Sequence, residues 1–243
     1  AAAKALQDGA MTVVFFPLKA LLKDQYRSLS TAMAPFGISV YEAYGDLSGR
    51  RRIDLFGALA DGRADIVLTT PEFFLAHERA FTQGSKPIGF WVLDEAHHLQ
   101  DRRAGYRHLK NYLADAPGQV LALTATLPDA AAAACRELRP QMQFMADRAP
   151  RTNLQLVDRR GIGQKNRYLL RLALSGQKTL CYVNSRKQAL EIAKKLRLNL
   201  PYSLRHTVGY YHGGLNRKAR EWLQGEFEKG NLRLLVATTA FGE

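Results

Sequence analysis

Cysteine is nearly missing from this 243-residue chain: Cys135 and Cys181 are the only two. That is too few for a disulfide framework or an all-cysteine zinc site, and it fits a reduced, cytoplasmic setting. Long apolar runs are missing as well. No uncharged stretch approaches the ~18 residues that a bilayer demands, which excludes a membrane-spanning helix, and no membrane partner is expected. No initiator methionine or secretory leader opens the chain; Ala1 starts an alanine-rich helical stretch instead. Residues 241–243 follow directly on a β-rich run, so the sequence is expected to be a piece of a longer protein. The phosphate-cradling pattern G-x-x-x-x-G-K-[ST] occurs nowhere.

What is present is ordinary globular material. Hydrophobic residues make up 47% and charged residues 23%, which excludes wholesale disorder. The formal net charge of +13 is unevenly placed. Residues 1–147 hold 16 basic and 16 acidic side chains, whereas residues 148–243 hold 19 basic and 6 acidic ones. The second half therefore carries the whole excess. That imbalance points to a polyanion, nucleic acid before membrane, or else to a solubilising surface.

Short β-rich runs alternate with helical patterns throughout. Strands are expected over 11–16, 38–44, 66–69, 90–93 and 120–123, all buried, and again over 179–183, 207–211 and 232–238. Leu18, Leu21, Leu22, Gln25 and Leu29 share one helical face. Further helices are expected over 130–138, 187–197 and 216–228. This alternation predicts an α/β fold with parallel sheets covered by helices. The rhythm is weakest over 146–153, around Pro150, where the charge balance also changes. Two tandem domains, 1–147 and 148–243, are expected.

Such folds bind ligands at the carboxyl ends of their strands, so the chemistry should follow each strand. The run Trp91-Val92-Leu93-Asp94-Glu95-Ala96-His97 ends an apolar strand in two carboxylates. Asp94 could hold a hydrated Mg²⁺, which keeps several waters and takes few protein carboxylates. Glu95 could orient or deprotonate a water attacking a γ-phosphate. The plainer alternative makes Asp94 a helix cap and leaves Glu95 in solvent. Other strand ends carry Pro17-Leu18-Lys19, Thr70-Pro71-Glu72, Thr124-Ala125-Thr126, Asn184-Ser185-Arg186, His212-Gly213-Gly214 and Thr238-Thr239. Each of these also reads as an ordinary cap or turn.

In this order the set resembles the motifs of superfamily 2 DEAD/DEAH-box helicases, and within them the RecQ-like ATP-dependent DNA helicases. The resemblance covers essentially the whole chain. It implies two RecA-like domains of the P-loop NTPase fold, with ATP in the cleft between them and single-stranded or partly duplex nucleic acid, DNA favoured, across their tops. It implies catalytic roles for Asp94 (through Mg²⁺), Glu95 (as base) and His97 (as a link from the nucleotide to the second domain). Thr124 and Thr126 would couple hydrolysis to unwinding. Pro17, Lys19, Thr70, Pro71, Glu72, Asn184, Ser185, Arg186, His212, Gly213, Thr238 and Thr239 would meet nucleic acid. The resemblance further implies 3′ to 5′ movement and a setting in DNA repair and recombination. It places the phosphate loop just before Ala1 and an arginine-bearing motif beyond Glu243, so these residues alone are expected to be inactive. A translocase that does not unwind, an RNA helicase of the same superfamily, and an inert nucleic-acid-binding module are the alternatives.

One stretch departs from the RecQ pattern. Residues 98–107 stand where those enzymes carry an aromatic-rich loop, and Tyr106 is the only tyrosine, tryptophan or phenylalanine there. Several conspicuous residues have bland readings. Trp222 and Phe227 are expected in the core, Cys181 as a packed thiol, His77 and His108 at the surface, and Arg50-Arg51-Arg52 on a solvated face.

Overall fold

A computed structural model describes residues 8–100, 104–147, 149, 152–161 and 163–241. The alanine-rich opening, Arg102, Arg103, Pro150 and Gly242 lie outside the described residues. The chain divides into two compact units, Ala1–Asp147 and Arg148–Glu243.

In the first unit, strands β1 (Met11–Phe15), β2 (Val40–Ala43), β3 (Ile66–Thr69), β4 (Ile88–Leu93) and β5 (Gln119–Ala122) form one sheet. Its order is β2-β3-β1-β4-β5 and every pairing is parallel. The central strands are apolar on both faces, as a sheet covered on both sides requires. Val13, Phe15, Trp91 and Leu93 point into the main core, while Val14, Phe90 and Val92 point the other way. Phe74 meets Phe15 and Trp91 edge-on at 5.3 and 5.6 Å between ring centroids. The indole N–H of Trp91 donates to the Pro117 carbonyl at 2.7 Å, so this large side chain is buried with its polar atom satisfied.

Helices α1 (Lys19–Met33), α2 (Gly49–Ala60), α3 (Pro71–Ala76), α4 (Glu78–Thr82), α5 (Ala104–Asp115) and α6 (Asp129–Leu138) complete this unit. The apolar stripe of α1 runs through Leu22, Tyr26, Leu29 and Met33 and leaves Gln25 exposed, contrary to the expected face. The spacing of four, three and four residues turns the stripe away from Gln25. A second correction concerns β5. It is an edge strand, and Leu121 and Leu123 are 40% and 46% exposed rather than buried. Among the described residues no strand pairs with its outer side.

In the second unit, β6 (Thr179–Tyr182), β7 (Val208–Tyr211) and β8 (Leu234–Ala237) form a parallel sheet in the order β6-β8-β7. Helices α7 (Lys165–Leu174) and α8 (Arg186–Asn199) bring Ala173, Ala189, Ala193 and Leu196 against Val208, Leu234 and Val236. Leu223 and Phe227 of α9 (Arg217–Glu228) pack with Tyr211 and Leu235 of the sheet in a separate cluster. Both units are thus parallel α/β layers. No helix among the described residues is long and apolar enough to cross a membrane. Cys135 is buried and Cys181 half-buried, and burial pushes both thiols up from their ordinary range.

Parallel register gives each sheet one carboxyl edge. Phe15 pairs with Thr69 and Leu93, Leu93 with Ala122, and Ala43 with Thr69. The residues that follow these strands therefore emerge side by side. Tyr182 and Tyr211 likewise both pair with Ala237.

Candidate functional site

In the first unit, β4 ends at Leu93, and the backbone N–H of Asp94 donates to the Phe15 carbonyl at 3.0 Å. Asp94 is half-buried, and its carboxylate accepts the N–H of Glu95 at 3.0 Å. Burial pushes its carboxyl up from the ordinary range, helped by the Glu95 charge and opposed by that hydrogen bond. Glu95 has φ 49°, the only positive value on a non-glycine residue among those described. A strained backbone of this kind persists where surrounding structure fixes it, and it turns the Glu95 side chain toward His97.

His97 joins the two carboxyl-edge motifs of this unit. Its Nδ1 lies 3.2 Å from Glu95 Oε2 and 3.1 Å from Thr124 Oγ1. Thr124 Oγ1 in turn donates to the Thr126 carbonyl at 2.7 Å and accepts the Thr126 N–H at 3.3 Å. Asp94, Glu95, His97, Thr124 and the Thr126 backbone are therefore one polar constellation, hydrogen-bonded from His97 to Thr126 and closed toward Glu95 by the 3.2 Å approach. The ring of His97 also lies 4.3 Å from that of His98, which lies 5.4 Å from Tyr106. Tyr106 is a buried residue of α5 rather than part of a loop.

The other first-unit candidates surround this group along the sheet edge. Pro17 lies between β1 and α1 and Lys19 opens α1, where its ammonium pairs with Asp46 and sits 4.8 Å above the Tyr44 ring. Lys23 covers the same ring at 4.9 Å. The Thr70 hydroxyl accepts the Phe73 N–H at 3.4 Å as the cap of α3, with Pro71 buried behind it. Glu72 is exposed and leans toward α5, where a Cβ added at Gly105 would meet its carboxylate at 2.7 Å. Tyr44, Lys23 and Asp46 were not among the residues singled out from sequence. The end of the second strand, Tyr44-Gly45-Asp46, was the available signal, because every other strand end carried a candidate.

In the second unit the candidates also share one edge. Ser185 caps α8 by accepting the Gln188 N–H at 3.1 Å. Arg186 lies across Gly214, close enough that a Cβ there would meet its guanidinium at 2.9 Å. His212 Nδ1 accepts the Gly214 N–H at 3.2 Å, and its ring stacks on Tyr210. Neither Gly213 nor Gly214 has a left-handed φ; Gly214 serves close approach to Arg186 and His212, whereas a Cβ at Gly213 would meet only Ala240 at 3.6 Å. The Thr238 N–H donates to the Tyr211 carbonyl at 3.1 Å, and Thr239 is exposed beside it. Asn184 and Arg186 are exposed on the same edge.

Some bland readings change. Trp222 is 62% exposed because it falls on the outer face of α9, whereas Phe227 does pack in the core. Arg51 pairs with the buried Glu42, and Arg52 contacts His77, so two of the three clustered arginines are engaged. His77 is half-buried between Phe56 and Phe73. Among the described residues, no group of three or more His, Cys, Asp or Glu side chains could hold a metal ion unaided. A single half-buried carboxylate is the donor set of a Mg²⁺ that keeps its waters and a nucleotide's phosphates, and Asp94 fits that pattern.

The DEAD/DEAH box helicase family matches residues 1–134, and the helicase conserved C-terminal domain matches residues 164–243. The ATP-dependent DNA helicase RecQ of Bacillus subtilis is 28% identical over 249 residues, spanning 98% of this chain and 40% of that protein. The DUF1998 helicase MrfA, solved bound to DNA, superposes with a TM-score of 0.74 at 18% identity, over 98% of this chain and 37% of that one. Dbp5 of S. cerevisiae, solved with RNA and ADP BeF3, gives 0.65 at 20% identity, over 94% and 57%. The chain thus spans about 40% of the length of the first curated relative it matches.

Proposed function

Because the chain belongs to the DEAD/DEAH box helicase family, we propose that it is the motor of an ATP-dependent nucleic-acid helicase, RecQ-like, acting on DNA in the 3′ to 5′ direction. The observation that carries this reading is His97 Nδ1, placed within 3.2 Å of both the Glu95 carboxylate and the Thr124 hydroxyl. One imidazole thereby ties the group suited to activating water to the segment suited to passing on its state.

Asp94 would hold the Mg²⁺ of bound ATP through water, and that ion would supply charge neutralisation on the phosphates. Glu95 would orient and deprotonate the attacking water, its carboxylate held by the strained backbone and by His97. Thr124 would register a change at Glu95 through the same imidazole. In each unit, capping hydroxyls, amides and one or more cations along the carboxyl edge suit phosphodiester contacts, which position a strand without reading its bases. Pro17, Lys19 and Thr70-Pro71-Glu72 in residues 1–147, and Asn184-Ser185-Arg186, His212-Gly213 and Thr238-Thr239 in residues 148–243, would be those contacts. The proposed setting is cytoplasmic, in DNA repair and recombination.

The 243 residues contain no G-x-x-x-x-G-K-[ST] sequence. We therefore propose that they bind nucleic acid without turning over ATP on their own. Replacing Glu95 with Gln in the intact gene product tests the assignment. DNA-stimulated ATP hydrolysis should vanish while ATP binding stays. Normal turnover would remove Glu95 from the role of base, and displacement of RNA but not DNA duplexes would move the substrate to RNA.

A further inference from the structure

The strongest feature left unused by this reading lies on α7, away from the carboxyl edge of its own sheet. Three adjoining hollows of about 240, 560 and 300 Å³ share Arg167 in their walls. The first adds Lys195 of α8, the second Lys165, and the third Arg159, Tyr168 and Arg171. No aspartate or glutamate lines any of them. The hollows of the first unit differ, since each includes Glu42 or Glu137.

These cations are available. Arg167 and Arg171 stand one helical turn apart on the exposed side of α7, while Leu169, Leu170 and Ala173 hold the opposite side in the core. Arg159 is held over the Tyr168 ring at 5.0 Å, which fixes its guanidinium without neutralising it. The adjacent Asp158 is spent on Arg160 at 2.7 Å. Among the described residues, no ion pair engages Arg159, Arg167 or Arg171.

We propose that this face is a second nucleic-acid contact, one that takes the phosphodiester backbone beyond the carboxyl edge. The inference rests on the nucleic-acid reading above. A row of guanidiniums and ammoniums without carboxylate partners, Arg167 donating only to the neutral Gln164 Oε1 at 3.3 Å, matches a ligand with repeating negative charge, and arginine's planar fork suits phosphate oxygens. The face lies toward the far end of α8 from Arg186. The 14 residues of that helix correspond to a separation of roughly 20 Å. A strand must therefore run several nucleotides past the carboxyl edge before it meets Arg167.

The test uses the 243-residue chain and the triple substitution R159Q/R167Q/R171Q, with Arg186→Gln as the contrasting variant. Binding is measured by fluorescence anisotropy across a salt series. The probes are a duplex of about 30 base pairs and a strand of about five nucleotides, roughly 17 Å at 3.4 Å per step. The triple variant should bind the long duplex with a log–log salt slope shallower by about two to three, near 0.9 per lost phosphate contact. Its binding of the short strand should be unchanged, whereas Arg186→Gln should weaken both. Long-duplex binding and slope equal to wild type would overturn the α7 contact alone. Loss of long-duplex binding in the triple variant with no effect of Arg186→Gln would keep the α7 contact and remove the carboxyl-edge one. If phosphatidylserine–phosphatidylcholine vesicles lose binding while both DNA probes do not, the face belongs to a lipid surface and the proposal fails.

Discussion

His97 Nδ1 and Thr124 Oγ1 lie 3.1 Å apart, and the hydrogen bonds around them fix which atom carries the proton. Thr124 Oγ1 gives its own proton to the Thr126 carbonyl at 2.7 Å, so toward His97 it can only accept. The network therefore assigns the proton to Nδ1, which also faces the Glu95 carboxylate at 3.2 Å. The imidazole thus stands between a carboxylate at 3.2 Å and a hydroxyl at 3.1 Å, so a shift of its ring alters both contacts.

Thr124→Val removes the acceptor and keeps the shape. In the intact gene product it should leave ATP binding intact and reduce strand displacement per ATP hydrolysed. One neutral hydrogen bond is worth about 1 kcal/mol, or roughly a fivefold change in that ratio. Parallel ATPase and displacement assays check it, and an unchanged ratio would detach Thr124 from coupling.

Gly118 sits in the turn that launches β5 and therefore places Thr124. Its φ is +99°, and a Cβ there would lie 2.8 Å from the Gly89 carbonyl oxygen. Neither the backbone conformation nor the neighbouring β4 backbone can give way cheaply. Gly118→Ala should destabilise the protein by about 1–3 kcal/mol, measurable by urea unfolding, and weaken the His97–Thr124 contact.

Asp65 provides a pH-dependent hold on the first sheet. Burial raises its carboxyl, but the Lys86 ammonium and the Ser39 N–H (2.8 Å) and hydroxyl (3.0 Å) outweigh burial and hold it below the ordinary range. A depressed carboxyl contributes stability that is present above its unfolded value, about 3.9, and is lost as pH falls through the folded value. Asp65→Asn should therefore cost about 1–3 kcal/mol at neutral pH, and the gap to wild type should close below about pH 4. Unfolding curves at several pH values check the sign.

The alternation of strands and helices, and the motifs after most strands, were legible in the sequence because parallel α/β sheets write them locally. Buried strands such as β3 are continuous apolar runs, and the carboxylates of Asp94 and Glu95 follow such a run directly. Other features depend on sheet order, which the sequence does not display. β5 looked buried because Val120 to Leu123 are apolar, yet its place at the edge exposes Leu121 and Leu123. Trp222 looked like core because large aromatics usually are, yet the stripe of α9 passes through Leu223 and Phe227 instead. The contact of Thr124 with His97, beside Glu95, joins residues 27 positions apart through the register of β4 and β5. Only the fold brings it together.

Lys19 and Asp46 make the sharpest case for a side chain held in reserve. Lys19, at the start of α1, pairs with Asp46 after β2, and the Tyr44 ring lies under both Lys19 and Lys23. The pairing holds the Asp46 carboxyl below its ordinary range, chiefly through the hydrogen bond from Lys19. A phosphate approaching Lys19 must compete with that carboxylate, so Asp46 should act against binding while Lys19 acts for it. Asp46→Asn should tighten single-stranded DNA binding at low salt, and the gain should fade as salt screens the charges. Lys19→Gln should weaken binding and lower the log–log salt slope by about 0.7, the contribution of one single-strand phosphate. The double variant should behave like Lys19→Gln alone, because Asp46 is expected to act through Lys19. An effect of Asp46→Asn that survives in the Lys19→Gln background would instead make Asp46 an independent repulsive charge along the strand's path.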